Sequence, residues 1–374
     1  MKIGILGGGQ LARMLAAAGI PAGLEFLVLD PAPDACAAAL ARHLQADWDD
    51  PAALAELAAC DRVTCDFENV PSSSLRFLAG EVPVRPSAEA LAAAQDRLHE
   101  KDLFGKLGLE TPDFRPVSSR PDLAAAVDVI GLPAVLKTRR LGYDGKGQAI
   151  LQDAEDLEVA WQKLGEADLI LEQWIDFRLE CAITATRSAD GEIHCYPLTR
   201  TLHRGGILSL ALAPIPGGHG HLQQTAETAV AALMEHLDYV GCLSLEFFLA
   251  ESGLLANEFA PRVHNSAHWT IEGAVCSQFE NHLRAVCDWP LGATGARGAA
   301  LMINFIGHMP APEPYLAVPG LHWHDYGKAP RAGRKVGHAT LAAPDFDGLH
   351  GQVAALKGVV DQSLAADLDL LLAS

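Results

Sequence analysis

Short apolar runs alternate with helical patterns over residues 2–79, and this alternation limits the fold more than any other feature of the sequence. Strands are predicted at 2–6, 26–29 and 62–65, and helices at 10–18, 51–59 and 72–79. Strands that alternate with helices pair in parallel, because each helix crosses over the sheet before the next strand joins it. The sequence therefore predicts an amino-terminal α/β unit with a doubly wound parallel sheet.

Hairpin patterns replace these crossovers in the second half of the chain. Predicted strands at 180–187 and 192–198 are joined by an Asp-Gly turn, and those at 243–250 and 254–259 by a Ser-Gly turn. Such dipeptides favour tight hairpins between antiparallel strands. We therefore predict a mixed or antiparallel body, which makes the whole chain α+β in organisation.

A small lid domain is predicted between these two regions. Pro112 and Pro116 indicate a linker, and residues 133–172 hold short strands, a glycine-rich loop and a helix at 153–163. The chain has 374 residues, which is enough for two or three domains.

The charge balance excludes two classes of partner. The formal net charge is −19, so we expect no nucleic acid and no membrane as partners, because their phosphates would be repelled. A small anion needs only local cations, and two basic groups offer them: Lys137, Arg139, Arg140 and Lys146, and Lys328, Arg331, Arg334 and Lys335. Eight cysteines without a Cys-x-x-Cys pair, together with the lack of a long apolar run, predict a cytoplasmic protein with reduced thiols.

A glycine turn follows the first predicted strand. Gly7, Gly9 and Ala12 have the spacing of a dinucleotide-binding fingerprint, and Asp30 after the second strand could accept from a ribose. Backbone amides at a helix start attract an anion. Three interpretations stay open: a dinucleotide site, a tight turn without a ligand, and a site for the phosphate or ribose of another substrate.

A second glycine-rich loop follows a predicted strand that ends in Lys137. Its three glycines could fold their amides over phosphates beside the lysine, although the loop lacks the Gly-Lys-Ser/Thr ending of a Walker motif. A plain hairpin is the alternative. Glu172 at a strand end could accept from an adenine amino group and Glu180 from ribose hydroxyls, whereas the simplest alternative for each is a solvated surface glutamate.

Two acids in apolar strands predict a metal site. Glu246 lies in the apolar run 243–248 and Glu258 near the end of the next predicted strand, 254–259, and a buried carboxylate is costly unless it is paired or bound to a cation. Mg²⁺ favours such oxygen ligands and would also bind nucleotide phosphates. A pair of strand acids on a wet face is the alternative.

The segment after Glu258 carries one arginine, two histidines and an asparagine at positions 262–268. His264 and His268 have a spacing seen in zinc sites, but Asn265 stands where a zinc protease needs glutamate, so zinc is not predicted. Arg262 beside His264 and Asn265 is better suited to binding a small oxyanion.

Taken together, these segments resemble the 5-(carboxyamino)imidazole ribonucleotide synthase family of ATP-grasp enzymes. The resemblance rests on residues 4–11, 67–71, 95–98, 142–147, 257–262, 264–266, 268–273 and 333–338. It spans nearly the whole chain, and several motifs in order are more specific than any one of them. It implies an ATP-grasp fold with an amino-terminal doubly wound domain at 1–96, linker helices and lid at 97–172, and a body with a carboxy-terminal subdomain at 173–374.

The resemblance also implies the ligands. ATP would lie between lid and body and contact Arg97, Lys137, Gly142, Tyr143, Asp144, Gly145, Lys146, Gly147, Gln148, Glu172, Gln173, Trp174, Ile175, Glu180, His203, Asn257 and Glu258. Mg²⁺, with Mn²⁺ as an alternative, would be held by Glu246 and Glu258. Bicarbonate would meet the catalytic residues Arg262, His264 and Asn265.

The second substrate implied by the resemblance is aminoimidazole ribonucleotide. It would contact Gly9, Gln10, Leu11, Tyr143, Asp144, Lys328, Arg334 and Lys335, with its phosphate on Arg334 and Lys335. A homodimer is implied as well. The chain departs from the family pattern at Ala12, at Cys65 and Asp66, at Gly205, where an aspartate is common, and at Ala267.

The activity implied is carboxylation of the amine by bicarbonate, with ATP forming carboxyphosphate and with ADP and phosphate as products. Alternatives are another ATP-grasp ligase, such as a formate-using glycinamide ribonucleotide transformylase, and a nucleotide-binding protein without catalysis. The presence of both Glu246 and Glu258 favours an active enzyme over the binding protein.

Overall fold

In a computed structural model, which describes residues 1–142, 145–217 and 220–373, the strands form three sheets. Tyr143 and Asp144, both predicted to contact substrates, lie outside the described residues. Among the described residues, no helix combines the length and the apolar character that a membrane span requires.

The amino-terminal sheet is parallel and has the strand order β3-β2-β1-β4. Its strands are β1 Lys2–Leu6, β2 Glu25–Leu29, β3 Arg42–Leu44 and β4 Arg62–Cys65, and the helices that follow are α1 Gln10–Gly19, α2 Pro51–Ala58, α3 Ser72–Ala79 and α4 Ala88–Ala94. Leu15 of α1 packs with Ile3 and Ile5, whereas Leu57 of α2 and Leu75 of α3 belong to a separate core on the other face. Helices therefore cover both faces, and the predicted doubly wound sheet is confirmed.

The second sheet is small, antiparallel and ordered β5-β8-β6-β7. It comprises β5 Phe114–Val117, β6 Ala134–Thr138, β7 Gln148–Leu151 and β8 Leu169–Gln173, with the helices α6 Arg120–Ile130 and α7 Asp156–Leu164. The stretch around Pro116, predicted as a linker, forms the edge strand β5. An edge position tolerates proline because a residue there can lack its amide without breaking the sheet.

The third sheet forms the body and is antiparallel throughout. Its path is β14-β13-β9-β11-β12-β15-β17-β16, with β10 paired to β9. Its strands are β9 Leu179–Arg187, β10 Ile193–Cys195, β11 Thr199–Arg204, β12 Ile207–Ala213, β13 Gly241–Ala250, β14 Gly253–Ala260, β15 Ala299–Ile306, β16 Leu321–Asp325 and β17 Lys335–Ala343. The predicted hairpins β9–β10 and β13–β14 are both present.

Helices attach the body to the other two parts. They are α5 Arg97–Lys106, α8 Gly220–His236, α9 Thr270–Gly273, α10 Gln278–Val286, α11 Pro312–Leu316, α12 Phe346–Lys357 and α13 Gln362–Leu372. Phe279 and Leu283 of α10 pack into the core beneath α1, and Phe104 of α5 packs against Phe259 of β14 with ring centroids 6.1 Å apart. The amino-terminal sheet and α5 are thereby fixed against the body.

Tight packing around α9 leads to a prediction about stability. A Cβ on Gly273 would lie 2.7 Å from the Cβ of Ala300 and 2.8 Å from the buried ring of Trp269, so neither neighbour can move aside easily. We expect Gly273→Ala to lower the free energy of unfolding by roughly 1–3 kcal/mol through overpacking. Thermal unfolding followed by circular dichroism would measure the change.

The matched control is Gly351→Ala in α12. A Cβ there meets no atom within 4 Å, so alanine should stabilise the helix by about 0.5–1 kcal/mol because it removes backbone freedom from the unfolded chain. Equal shifts of the thermal midpoint in the two variants would contradict the packing argument.

Candidate active site

A cleft of about 630 Å³ opens where the amino-terminal sheet, the lid loop and the body meet. The predicted site residues on its lining are Gly9, Gln10, Leu11, Arg97, Gly142, Lys146, Glu246, Glu258, Arg262, His264, Asn265, Lys328, Arg334 and Lys335. Within the described part of the chain, this set includes every residue predicted for metal, bicarbonate and the second substrate. The cleft therefore brings distant segments of the sequence to one place.

The glycine turn after β1 faces carboxylates of its own chain. The amide of Gly8 donates to Asp30 at 2.7 Å, and the amide of Gly9 donates to Asp66 at 2.5 Å. Burial raises the pKa of Asp66 to about 6, against the charges of Arg262 and Lys328. Because carboxylates already accept from these amides, the geometry does not favour the dinucleotide interpretation. Asp66 appeared in the sequence only as a departure from the family pattern.

Glu246 and Glu258 come together at a bulge between β13 and β14. The register shifts between Leu245 and Phe247, which sets Glu246 against Asn257 and Glu258. Glu258 accepts from Arg97 at 2.7 Å, and Glu246 lies 3.3 Å from Nε2 of His264.

The electrostatics of this pair fit a shared cation. Burial, followed by the charge of Glu258, raises the pKa of Glu246 to about 7. The side-chain oxygen of Asn257 is buried without a hydrogen-bond partner in the described residues. Carboxylate and amide oxygens are ligands that Mg²⁺ accepts. The described residues contain no group of three or more His, Cys, Asp or Glu side chains arranged for a metal.

Glu172 is buried between two lysines. Lys137 donates to its Oε2 at 2.8 Å, and Nζ of Lys101 lies 3.7 Å from the same oxygen. Burial opposes ionisation, but the charges of Lys101 and Lys137 outweigh it and lower the pKa of Glu172 to about 2. The alternative of a solvated surface glutamate is therefore wrong for Glu172. By contrast, Gln173 and Trp174 at the end of β8 are exposed.

The sequence analysis missed Lys101. It stands in α5 between positions that face the core, which is a signal of burial, but nothing near it in the sequence identifies the carboxylate that it meets.

Arg139 and Arg140, at the base of the lid loop, both form ion pairs with Asp96. Asp96 caps α5 through the amide of Leu98, accepts two bonds from Arg139 at 2.7 and 2.9 Å, and accepts a third from Arg140 at 3.1 Å. Arg139 and Arg140 were predicted as phosphate-binding cations. In this structure both arginines connect the loop to α5 through Asp96, and a contact with phosphate stays a prediction.

The lid loop itself closes on the body. Gly145 and Gly147 have positive φ angles of 75° and 71°. A Cβ on Gly145 would lie 2.5 Å from the carbonyl oxygen of Gly205, in the turn between β11 and β12. The glycine at 205, a departure from the family pattern, therefore lies directly under the tip of the loop.

Glu180 and His203 form a pair beside the loop. Nδ1 of His203 lies 3.0 Å from Glu180 Oε2. Burial lowers the pKa of His203, but the hydrogen bond and charge of Glu180 together with the charge of Glu246 outweigh it, so the pKa is raised overall. Both residues were predicted to contact nucleotide, and each has the other as a partner in this structure.

The three residues predicted for bicarbonate each have a protein partner. Nε of Arg262 donates to Glu68, which follows β4 in the amino-terminal unit. His264 is buried, which together with Arg262 holds its pKa well below the usual value, and its Nδ1 lies 2.8 Å from the Ser266 hydroxyl. Asn265 exchanges two hydrogen bonds with Asn304, at 3.0 and 2.6 Å.

Sequence reasoning did not assign a role to Glu68. The signal for it was its place in the family segment 67–71, which the resemblance already included. Its carboxylate keeps the guanidinium of Arg262 at the cleft, and its own pKa is lowered because Arg262 outweighs the effect of burial.

The second basic group also lines the cleft. Lys328 donates to the side chain of Gln10, and its Nζ lies 5.8 Å from the ring centroid of Tyr326. Arg334 lies 3.7 Å from Asp34, and Lys335 begins β17. Lys328 thus connects the start of α1 to this basic group.

The charge state of Glu172 leads to a prediction about pH. We expect Glu172→Gln to lower the free energy of unfolding by about 3 kcal/mol at pH 7, because the buried Lys101 and the partly exposed Lys137 lose their shared carboxylate. The pKa of Glu172 is lowered from 4.5 to about 2, so its stabilisation is complete above pH 4.5 and is lost as the pH falls towards 2. Urea unfolding at several pH values would measure the difference from the wild type.

The control is Glu166→Gln, which changes an exposed glutamate of the lid. It should leave the free energy of unfolding unchanged at every pH. A difference between wild type and Glu172→Gln that stays constant from neutral pH to about pH 3 would contradict the lowered pKa.

Known proteins match the chain over nearly its whole length. A ribonucleotide synthetase preATP-grasp domain matches residues 1–95, an ATP-grasp domain matches 102–279, and a phosphoribosylaminoimidazole carboxylase C-terminal domain matches 300–350. The N5-carboxyaminoimidazole ribonucleotide synthase of Pseudomonas aeruginosa is 52% identical over 362 residues, which cover 96% of this chain and 100% of that protein.

Two solved structures extend the comparison to the fold. N5-carboxyaminoimidazole ribonucleotide synthetase from Thermus thermophilus superposes with a TM-score of 0.92 at 50% identity, covering 96% of this chain and 99% of that one. The N5-carboxyaminoimidazole synthase of Aspergillus clavatus, in complex with ADP and 5-aminoimidazole ribonucleotide, has a TM-score of 0.88 at 30% identity, covering 99% and 98%. These similarities include the amino-terminal sheet, the lid and the body.

Proposed function

The chain belongs to the N5-carboxyaminoimidazole ribonucleotide synthase family of ATP-grasp enzymes, and we propose that its cleft uses ATP and bicarbonate to carboxylate 5-aminoimidazole ribonucleotide in purine biosynthesis. The products are the N5-carboxylated ribonucleotide, ADP and phosphate. The observation that carries this proposal is the convergence of Arg97, the carboxylate pair Glu246 and Glu258, and Arg262 on one cleft.

Phosphoryl transfer to bicarbonate is the first step of the proposed reaction. A bicarbonate oxygen attacks the γ-phosphorus and ADP leaves, which gives carboxyphosphate with phosphate as a good leaving group. Arg97 and Lys137 are positive charges held in place by Glu258 and Glu172, and we assign them to the phosphates of ATP. Fixed cations stabilise the transferring group without reorganising during the reaction.

Glu246 and Glu258 would hold Mg²⁺, and Asn257 offers a further oxygen. Bound there, the ion would neutralise phosphate charge during transfer. Glu246 opposes a second carboxylate in a buried site, and that repulsion explains why a cation suits the pair.

Arg262, His264 and Asn265 are assigned to bicarbonate and carboxyphosphate. Glu68 fixes the direction of the Arg262 guanidinium, while Asn304 fixes the amide of Asn265. The imidazole of His264 is neutral at physiological pH because its pKa is well below the usual value. This trio can therefore hold one oxyanion through Arg262 without two adjacent positive charges repelling each other.

Aminoimidazole ribonucleotide is assigned to the side of the cleft formed by Gly9, Gln10 and Leu11, with its phosphate on Arg334 and Lys335. Its exocyclic amine attacks the activated carbon, the bond from carbon to the phosphate oxygen breaks, and the nitrogen loses a proton. The lid loop, which closes on Gly205, would keep water from the reactive intermediate.

Three further features stay predictions for this chain. We propose a homodimer and a cytoplasmic location, which the family resemblance supports. The domain boundaries 1–96, 97–172 and 173–374 are also proposed. Sedimentation at micromolar concentrations would test the dimer.

The substrate pair is tested by measuring ADP release from the purified protein. We expect release that requires bicarbonate and aminoimidazole ribonucleotide together, because the proposed cleft binds both beside the nucleotide. ADP release with formate and glycinamide ribonucleotide instead would contradict the proposal and favour the transformylase alternative. No ADP release with either pair, despite nucleotide binding, would favour a non-catalytic binding protein.

The metal assignment is tested with Glu258→Gln. We expect this variant to lose turnover by a factor of about 10²–10³ or more, because it removes a charge that organises both the cation and Arg97. The matched control is Glu251→Gln at the tip of the same hairpin, where the side chain is exposed. Near wild-type turnover in Glu258→Gln at saturating Mg²⁺ would refute the assignment.

A further inference from the structure

Lys101 is a buried cation that is not itself on the lining of the cleft. Its Nζ donates to the carbonyl oxygens of Asn257 at 2.8 Å and Ala256 at 3.3 Å, both in β14. The same atom lies 3.7 Å from Oε2 of Glu172 in the lid strand β8. A buried ammonium is costly unless its partners are well placed, so this lysine is expected to have a specific task.

The two oxygens of Glu172 have different surroundings. Oε2 accepts from Lys137 at 2.8 Å and faces Lys101, whereas Oε1 is buried without a hydrogen-bond partner among the described residues. A buried acceptor without a donor is unfavourable in the free protein. This arrangement suits an acceptor whose donor arrives with a ligand.

We propose that Lys101 is a positioning residue for nucleobase selection, which holds Oε2 of Glu172 so that Oε1 accepts from the 6-amino group of adenine. This inference rests on the proposed function, which places ATP between lid and body. Hypoxanthine has a 6-oxo group in place of the amine. The 6-oxo group of hypoxanthine cannot donate a hydrogen bond to Oε1 of Glu172. A site built to accept a hydrogen bond from its ligand discriminates strongly against a ligand that lacks the donor.

Lys101 is better suited to this task than Lys137. Lys137 is partly exposed and is assigned to nucleotide phosphate, so its ammonium group would contact both Glu172 and the ligand. Lys101 is anchored by two main-chain carbonyls of β14 and cannot follow the ligand. It therefore supplies the fixed end of the interaction.

The proposal predicts how the preference for ADP over IDP responds to substitution. Calorimetric titration of each nucleotide into the purified protein would give the ratio of affinities. Lys101→Gln keeps amide donors for the carbonyls of β14 but removes the charge facing Glu172. We expect it to reduce the ADP-to-IDP affinity ratio about tenfold or more, which is the usual effect of losing a hydrogen bond to a charged group.

Two control variants should keep the wild-type ratio. Lys101→Arg retains the charge and the donors, and Lys106→Gln removes an exposed lysine from the same helix. A wild-type protein without a preference for ADP, or an unchanged ratio in folded Lys101→Gln, would overturn the proposal.

A double-mutant cycle separates positioning from a general structural effect. Glu172→Met should lose the preference by itself, and adding Lys101→Gln should then change the ratio no further, because Lys101 acts through Glu172. Additive effects of the two substitutions, or a full preference in Glu172→Met, would overturn the proposal. A full preference for ADP in Glu172→Met would overturn the proposal even if Lys101→Gln fails to fold.

The titrations need no turnover. A protein that shows the predicted ratios but fails to carboxylate aminoimidazole ribonucleotide would contradict the proposed function and leave the role of Lys101 standing. A protein that carboxylates aminoimidazole ribonucleotide but does not show the predicted ratios would contradict only the role of Lys101.

Discussion

The structure depends on a group of paired charges where α5 passes between lid and body. Arg97 and Lys101 of α5 meet Glu258 of the body and Glu172 of the lid, and Lys137 adds a third cation. The buried carboxylate of Glu172 stays ionised because the charges of Lys101 and Lys137 outweigh burial, which lowers its pKa to about 2. Under the proposed function, ATP phosphates would join Arg97 and Lys137 while Glu258 and Glu172 hold these two cations in place. Binding and lid attachment therefore involve the same side chains.

Most of the fold could be predicted from the sequence because its signals are local. Apolar periodicity over residues 2–79 indicated the parallel sheet, and two turn dipeptides indicated the hairpins β9–β10 and β13–β14. The edge strand β5 was missed because proline signals a linker wherever strand pairing is unknown. The joining of β15 to β12 into one continuous body sheet was also beyond reach, since it pairs residues far apart in the chain.

The site was predictable residue by residue but not in its pairings. Charged residues inside apolar strands, such as Glu246 and Glu258, show from the sequence alone that they need partners. The partners lie far away: Arg262 meets Glu68 across 194 positions, and Arg97 meets Glu258 across 161. A single sequence carries no local pattern that shows which distant residues will be in contact. For that reason Asp96 and Lys101 were not identified as members of the site, because no local pattern names the charged partners that they meet.

The glycine turn shows how a correct local argument can lead to the wrong ligand. Amides at the start of α1 attract an anion, as expected of a helix amino terminus. The strand order places the ends of β2 and β4 on either side of β1, and Asp30 and Asp66 follow those strands directly. Their carboxylates reach the amides of Gly8 and Gly9 and provide the anions from within the chain. Under the proposed function the substrate phosphate is assigned elsewhere, to Arg334 and Lys335 on the lining of the same cleft. The topology of the sheet, rather than the glycine motif, decides which anion these amides bind.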